Sequence, residues 1–251
     1  RIIKCDDLNI KIINENSTHV SCTIEKANLN EEYDIAVIDE IQMIGDSRRG
    51  MAWSRALLGL RCKEIHICGA LNTKELLQKI LTDCNDDYEI NEYTRNTPLE
   101  VENKNFSYND TKEGDAIVVF SKKRVLEIAQ SYSEKGIKAS IIYGDLPPEV
   151  RKMQYAEFLN KETKVLVTTD AIGMGVNLPI RRIIFMSVSK YDGEEVRELT
   201  SQEVKQVAGR AGRKGIYDVG YVASIGGTQD LIKEKLEMKD KLIDKAVIGP
   251  S

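Results

Sequence analysis

The sequence predicts an α/β protein built from two parallel-sheet domains, on three observations. Short β-branched and apolar runs alternate with helical patterns along the 251-residue chain, and such alternation marks helix-covered parallel sheets. Several runs (IAVID, AIVVF, KVLVTT and RRIIF) are almost wholly apolar, as strands buried on both faces are. A polar stretch from about Asn96 to Gly114, carrying Pro98, separates two such series and sets a domain boundary.

Strands are expected at His19–Ile24, Ile35–Asp39, Glu64–Cys68, Tyr88–Tyr93, Ala116–Ser121, Ala139–Tyr143, Lys164–Thr169, Arg182–Ser187 and Gly220–Ser224. Helices are expected between them. Met51–Leu60 follows Arg49 and Gly50. Thr73–Leu81 follows Asn72, read as its cap. Lys122–Lys135 stops at Gly136, a C-terminal signal. Pro148–Leu159 has proline in its first turn, where the missing N–H costs nothing. Thr200–Ala208 opens on a hydroxyl cap with Glu203 in its first turn, and a charged amphipathic helix is expected over Asp230–Lys245. The organisation predicted is a first domain over residues 1–97, truncated at its N-terminus, a complete second domain over 98–226, and a helical tail over 227–251.

Composition narrows the function. Hydrophobic residues are 41% and charged residues 30%, ordinary for a globular protein. The net charge of −4 argues against a protein that coats nucleic acid by charge alone, yet leaves room for a local basic groove. The five cysteines include no CxxC pair and read as reduced, mostly buried thiols. No apolar run approaches the ~20 residues that span a bilayer, so no membrane partner is expected. His19 and His66 fall in expected strands and read as packed residues. Met51 and Trp53 share helical spacing with Leu57 and Leu58 and read as core. The chain opens at Arg1 rather than Met, from which an upstream segment is expected.

Four motifs carry chemistry. At the end of the IAVID strand stand two adjacent carboxylates, Asp39 and Glu40, followed by Gln42. Ligands of open α/β sheets bind at that edge. Asp39 there suits Mg²⁺, which takes one or two carboxylates plus phosphate oxygens and water, and Glu40 suits polarisation of an attacking water. Taken alone, such a pair is more often a solvated strand end. The run QVAGRAGR places Gln206, Arg210 and Arg213 close together. Arginines three apart face one way on a helix or its terminus, and such a fork neutralises charge on a triphosphate. Thr168, Thr169, Gly173 and Gly175 follow the KVLV strand, where hydroxyls and Gly-rich turns offer donors to phosphate; alone, this is an ordinary strand-to-helix turn. Ser121 and Lys122 begin a basic helix start, KKR, whose charge opposes the helix dipole unless a polyanion or solvent offsets it.

Order decides among these readings. DEIQ, FSKK, YGDLPP, TTDAIGMG and QVAGRAGR occur in the sequence in the order of helicase motifs II and IV to VI, so the chain resembles the superfamily-two helicases of DExH type. DEIQM from Asp39, the run from Trp53 to Leu60, EIHICG ending at Gly69, HVSCTIE from His19 and RRIIF ending at Phe185 resemble, more closely, the suppressor-of-var helicases of the mitochondrial RNA degradosome and their bacterial relatives.

The resemblance implies two RecA-like domains, ATP in the cleft between them, and a nucleic-acid strand across both. By motif, Asp39 and Glu40 become the metal and water-activating pair. Gln42 couples motif II to the second domain. Gln206, Arg210 and Arg213 face the triphosphate, and Gly173 and Gly175 lie near the nucleotide. Thr23, Ser121, Lys122, Thr168 and Thr169 contact the nucleic acid. The implied cofactors are ATP and Mg²⁺. The implied partners are single-stranded or duplex RNA, alternatively DNA, and a ribonuclease, in a bacterial cytoplasm or a mitochondrial matrix. One feature departs from the pattern: no G-x-x-x-x-G-K-[ST] loop occurs, so weak or absent ATPase activity is expected of the chain as it stands. Two other readings stay open, a noncatalytic nucleic-acid-binding scaffold and a DNA-repair or transport ATPase of the same superfamily.

Overall fold

The computed structural model describes residues 3–5, 10–12, 18–95, 97–173 and 177–249, the first two stretches by their backbone. In chain order the strands and α-helices are β1 (Ile3–Cys5), β2 (Ile10–Ile12), β3 (Val20–Cys22), β4 (Glu32–Ile38), α1 (Gly50–Gly59), β5 (Arg61–Ile67), α2 (Lys74–Asp83), β6 (Leu99–Val101), β7 (Asp115–Val118), α3 (Lys122–Glu134), β8 (Ala139–Ile142), α4 (Pro148–Leu159), β9 (Val165–Thr168), β10 (Arg182–Phe185), β11 (Ser189–Tyr191), β12 (Val196–Glu198), α5 (Ser201–Ala208), β13 (Gly220–Ser224) and α6 (Gln229–Glu237). The chain divides into two compact units. The first runs to Glu92 and takes back the chain from Lys241; the second is Tyr93–Asp240.

The second unit is a six-stranded sheet in the order β6-β13-β10-β7-β9-β8, parallel throughout. Every residue of β7, β9 and β10 is buried. Their β-branched side chains pack into one apolar layer on each face of the sheet, each fully buried Val, Leu or Ile contributing about 1.5–3 kcal/mol. Local signals set the helix ends. Ser121 Oγ accepts the Arg124 N–H at the start of α3, Pro148 opens α4, and Thr200 and Glu203 form a reciprocal capping box on α5.

At the strand starts lies a buried ionic cluster. Asp115 is wholly buried and pairs in register with Arg182, itself 4% exposed. Arg182 reaches Asp115 through Nη2 at 2.6 Å and Nε at 3.2 Å, and Glu102 through Nη1 at 2.8 Å. Its guanidinium also lies 5.4 Å from the centre of the Phe106 ring. Arg181 Nη2 adds a 2.7 Å bond to the same aspartate. Buried charges are tolerable when paired and hydrogen-bonded in this way.

The first unit centres on a parallel pair, β4 and β5, backed by α1 and α2 around Ile38, Ile41, Ile44, Trp53, Ala56, Leu57 and Leu76. Antiparallel β1–β2 and parallel β1–β3 pairings make a separate three-stranded sheet. The IAVID strand departs from expectation here. Ile35 is 59% and Val37 66% exposed, while Ile38 on the opposite face is buried. Among the described residues, the apolar cluster covers one face of β4–β5 only.

Other expectations are corrected. Residues Tyr88–Tyr93 form no strand; six of the eight residues from Asp86 to Tyr93 are charged or tyrosine with polar neighbours, and this stretch lacks an alternating apolar face. Asn72 does not cap α2: its Nδ2 donates to Lys241 O at 2.9 Å, and the helix starts after Thr73. The separate helical tail is replaced by α6, which ends at Glu237, and by an extended return. Ile243 N bonds Asn72 O at 3.0 Å and Val247 N bonds Ile44 O at 2.9 Å, and Ser54 Oγ bonds Val247 O; Ile243 and Ala246 join the first unit's core, a burial that a continuing helix would forgo. Cys22, Cys68 and Cys84 are exposed and Cys62 partly so. His19 and His66 are exposed too: His19 precedes β3, and His66, 2.9 Å from Glu64, lies on the face of β5 that the apolar cluster leaves uncovered. Met51 is 46% exposed, unlike Trp53 at 7%, since α1 turns only one side to the core.

Candidate functional site

In the first unit the chemistry gathers where β4 ends. Asp39 follows the strand and is exposed. Glu40 takes a left-handed backbone, φ 54° and ψ 42°, a conformation that costs a non-glycine residue about 1–3 kcal/mol and persists only where its surroundings hold it. The restraints are visible. Glu40 N–H donates to Asp39 Oδ1 at 2.9 Å, and Ile41 N–H donates to Cys68 O at 3.0 Å. Gln42 ties the turn to the segment after β5: its amide nitrogen donates to the Glu40 carboxylate, and its Oε1 accepts the Ala70 N–H at 3.1 Å. The intervening Gly69 leaves this possible, since a Cβ there would lie 2.7 Å from Gln42 Oε1. Gln42 thus links Glu40 to Ala70 within its own unit. Trp53 completes the frame, its indole N–H donating to Asp39 O at 2.9 Å.

In the second unit two motifs converge. β9 ends at Thr168 and a 3-10 turn follows over Asp170–Gly173. Gln206 on α5 packs on the bare Cα of Gly173, whose Cβ would meet Gln206 Cγ at 3.3 Å. Arg210, past the end of α5, donates from Nη2 to Gly173 O. Arg213 donates from Nη1 to Asn177 O at 3.2 Å. Both arginines therefore reach carbonyls of one loop. Gly175, expected in that loop, lies outside the described residues. Gly212, at φ +74°, stands back to back with Gly220: a Cβ on it would lie 2.7 Å from Gly220 Cα and 2.6 Å from Thr97 Cγ2.

The expected nucleic-acid residues are placed unevenly. Ser121 and Lys122 are exposed, at the C-terminal side of β7, and Lys122 Nζ sits 5.1 Å above the Tyr143 ring. Thr169 is 9% exposed and its Oγ1 accepts the Ala171 N–H at 3.3 Å. Thr168 is fully buried and donates to Thr169 O at 3.0 Å, so its hydroxyl is spent inside the turn. Ser121, Tyr143 and Thr169 all follow the ends of β7, β8 and β9, three neighbours in the sheet, at the edge where α/β ligands bind. Thr23 is part-buried in the first unit.

A charged network braces this half-site. Lys190 bridges Asp170 at 3.1 Å and Glu203 at 2.6 Å, and Arg197 grips both Glu203 oxygens at 2.9 Å. Burial alone would raise the Glu203 carboxyl, but the bonds from Arg197, Lys190 and the Thr200 N–H prevail and hold it at about 2. A depressed carboxyl stabilises the fold above its unfolded value of 4.5 and loses that contribution as pH falls toward about 2. Unfolding free energies of the wild type and Glu203→Gln from urea titrations are expected to differ by about 2–3 kcal/mol at neutral pH and to converge in acid below 4.5. A constant difference across that range would contradict the assignment.

Residues 5–93 match the DEXQ-box helicase domain of Suv3, and residues 101–215 match the helicase conserved C-terminal domain. The chain carries a Suv3-type DEXQ-box helicase domain followed by a helicase C-terminal domain. It is 44% identical over 210 residues to the rice "ATP-dependent RNA helicase SUV3L, mitochondrial", covering 81% of this chain and 29% of that protein. It is 44% identical over 196 residues to mitochondrial SUV3 of Saccharomyces cerevisiae, covering 77% and 27%. It is 41% identical over 244 residues to Arabidopsis thaliana DExH16, covering 94% and 43%. The chain thus spans less than half the length of these relatives. Its fold is similar to S. cerevisiae Dbp5 in a structure described as bound to RNA and ADP BeF3, at TM-score 0.66, 17% identity, and coverage of 98% of this chain and 69% of that one. That neighbour supports the RecA-like parallel-sheet architecture.

Within the Suv3-type frame, several residues around the motifs were missed by sequence reading. Lys190, Arg197, Glu25 and Arg49 look like surface charges in sequence, and only their three-dimensional pairing sets them apart. Asp115 left a fainter trace: a carboxylate flush against the apolar run AIVVF, matched by arginines flush against IIF. A charge at the threshold of a buried strand needs a partner, and the register supplies one.

Proposed function

We propose that this chain is the motor portion of an ATP-dependent RNA helicase. The observation that carries the reading is the convergence of Gln206 and Arg210 on Gly173, together with the restrained, left-handed Glu40 beside an exposed Asp39. Asp39 suits a magnesium ion, which needs few protein ligands and supplies charge neutralisation to phosphate oxygens when bound. Among the described residues no cluster of three or more His, Cys, Asp or Glu side chains is arranged to hold a metal, which fits magnesium, with its water and phosphate ligands, better than a structural zinc. Glu40 orients and polarises the attacking water. Arg210 and Arg213 exchange the carbonyls of Gly173 and Asn177 that they now hold for phosphate oxygens, so occupancy by a nucleotide releases those two carbonyls. Ser121, Lys122, Thr169 and Thr23 grip the strand through its backbone, so movement along it is sequence-tolerant. RNA is favoured over DNA by the names of the relatives. Those relatives are mitochondrial, which favours a mitochondrial over a bacterial cytoplasmic location. A ribonuclease partner remains part of the proposal on family resemblance.

The scaffold reading finds less support, because a scaffold has no use for a strained glutamate. The test is turnover. The chain alone, with no phosphate loop, is expected to hydrolyse Mg·ATP at background rate. A fusion in which a relative's phosphate-loop segment precedes Arg1 is expected to gain RNA-stimulated hydrolysis. Brisk turnover by the chain alone would refute the dependence on that loop, and a fusion that binds RNA without hydrolysis would favour the scaffold. Stimulation by DNA with none by RNA would favour the DNA-repair alternative.

A further inference from the structure

The first unit holds a continuous chain of polar contacts that the proposed chemistry does not use. It begins at Thr23, whose side chain hydrogen-bonds the Glu25 carboxylate. Glu25 Oε1 also accepts from Arg49, at 2.8 Å from Nη2 and 3.2 Å from Nε. The Arg49 guanidinium lies 5.4 Å from the centre of the Trp53 ring, within cation–π range. The Trp53 indole, 7% exposed, donates to the Asp39 carbonyl at 2.9 Å. Asp39 in turn accepts the N–H of Glu40.

The main chain along this path is closely packed. A Cβ on Gly50, the first residue of α1, would lie 2.5 Å from Ile44 O, and one on Gly59, its last, 2.9 Å from Leu29 Cδ1. Both ends of α1 are thus in backbone-close contact with their neighbours. Asp46 Oδ1 holds the Arg49 N–H at 2.8 Å. The Arg49 side chain links the exposed Glu25 carboxylate to the buried indole. In contrast to the buried indole, the Glu25 and Arg49 side chains are 37% and 47% exposed, open to an arriving polyanion.

We propose that Glu25, Arg49 and Trp53 form a positioning relay through which a nucleic-acid strand at Thr23 sets the main chain of Asp39 and Glu40. The proposal rests on the reading of Thr23 as a strand contact and of Asp39–Glu40 as the hydrolytic pair. A phosphodiester at Thr23 competes for the hydroxyl now given to Glu25, repels that carboxylate and attracts Arg49. Each of these moves the guanidinium on the indole face, and the indole N–H is a side-chain restraint on the Asp39 carbonyl. Strand binding is thereby felt at the carboxylates through differential contacts, as coupling requires.

Trp53 is the only tryptophan in the sequence, beside ten tyrosines, so emission excited selectively at the indole, at the red edge where tyrosine does not absorb, reports this relay. The experiment pairs two readouts: anisotropy of a fluorescein-labelled single-stranded oligouridylate for binding, and tryptophan emission at saturation with the unlabelled oligonucleotide. The wild-type chain is expected to bind and to change its emission. Glu25→Gln and Arg49→Lys are expected to bind within about threefold of wild type, as exposed pairs contribute little, and to lose about fivefold of the emission change. A merely structural ion pair would shift the melting temperature and leave the RNA-dependent emission unaltered. Saturated binding with no emission change in the wild type, or with the full change in both variants, would overturn the relay and leave the helicase reading intact. Absence of binding by anisotropy would overturn that reading and the relay with it.

Discussion

Asp115→Ala is expected to destabilise the second unit by about 3–5 kcal/mol, measured as a fall in urea midpoint at unchanged slope. The carboxylate is wholly buried and takes hydrogen bonds from Arg181, from two nitrogens of Arg182 and from the Lys112 N–H at 2.8 Å. Its loss leaves the 4%-exposed Arg182, among the described residues, with Glu102, the Asp110 carbonyl and the Phe106 face as partners, and takes the carboxylate from Arg181 as well. Two guanidinium groups then share one part-exposed carboxylate, and that under-compensated buried charge is the costly part. Glu102, 30% exposed, makes the internal comparison: Glu102→Gln should cost about 1 kcal/mol or less, because solvent reaches that side of the cluster. A loss below about 1 kcal/mol for Asp115→Ala would mean that water or a rearranged carboxylate rescues the arginines.

Arg210→Ala is expected to lower RNA-stimulated ATP turnover of the phosphate-loop fusion by about 10³-fold, the scale on which a charge-neutralising arginine acts in phosphoryl transfer. Oligouridylate affinity should stay near wild type, since Arg210 faces the Gly173 loop and not the Ser121–Lys122 helix start. Arg210→Lys should recover little, because lysine cannot offer the planar pair of donors. Retention of about a tenth of the activity or more would remove Arg210 from that role. Gln206 contacts the same glycine from one turn earlier, so its loss should act through loop position rather than charge.

What could be read in sequence followed burial. AIVVF, KVLVTT and RRIIF are apolar because helices cover both faces of their sheet, and β7, β9 and β10 appear where those runs stand. IAVID looked the same and behaves differently: α1 and α2 cover one side, so Ile35 and Val37 meet solvent. Periodicity cannot report how many layers a chain assembles. Pro148, Gly136, and Thr200 with Glu203 marked helix ends because each acts within a few residues. The three-residue strands β6, β11 and β12 were not foreseen, since three residues hold too little pattern and owe their pairing to neighbours distant in sequence. The site divided along the same line. Asp39, Glu40, Arg210 and Arg213 stood out through motif order. The shielding of the Thr168 hydroxyl, the Lys190 bridge and the Arg49–Trp53 contact depend on side-chain directions that no local string encodes.

The back-to-back approach of Gly212 and Gly220 changes how QVAGRAGR should be understood. The string looks like one signature of one activity, yet it is two inscriptions interleaved. Gln206, Arg210 and Arg213 are spelled by what they hold. Gly212 is spelled by the absence of room: two main chains touch there, and any side chain would drive them apart. Gly209 is similarly hemmed, a Cβ on it lying 2.7 Å from Lys205 O. A lineage that abandoned hydrolysis would be free to rewrite the arginines while the glycines stayed legible, so half of such a pattern can outlive the reaction it is taken to denote.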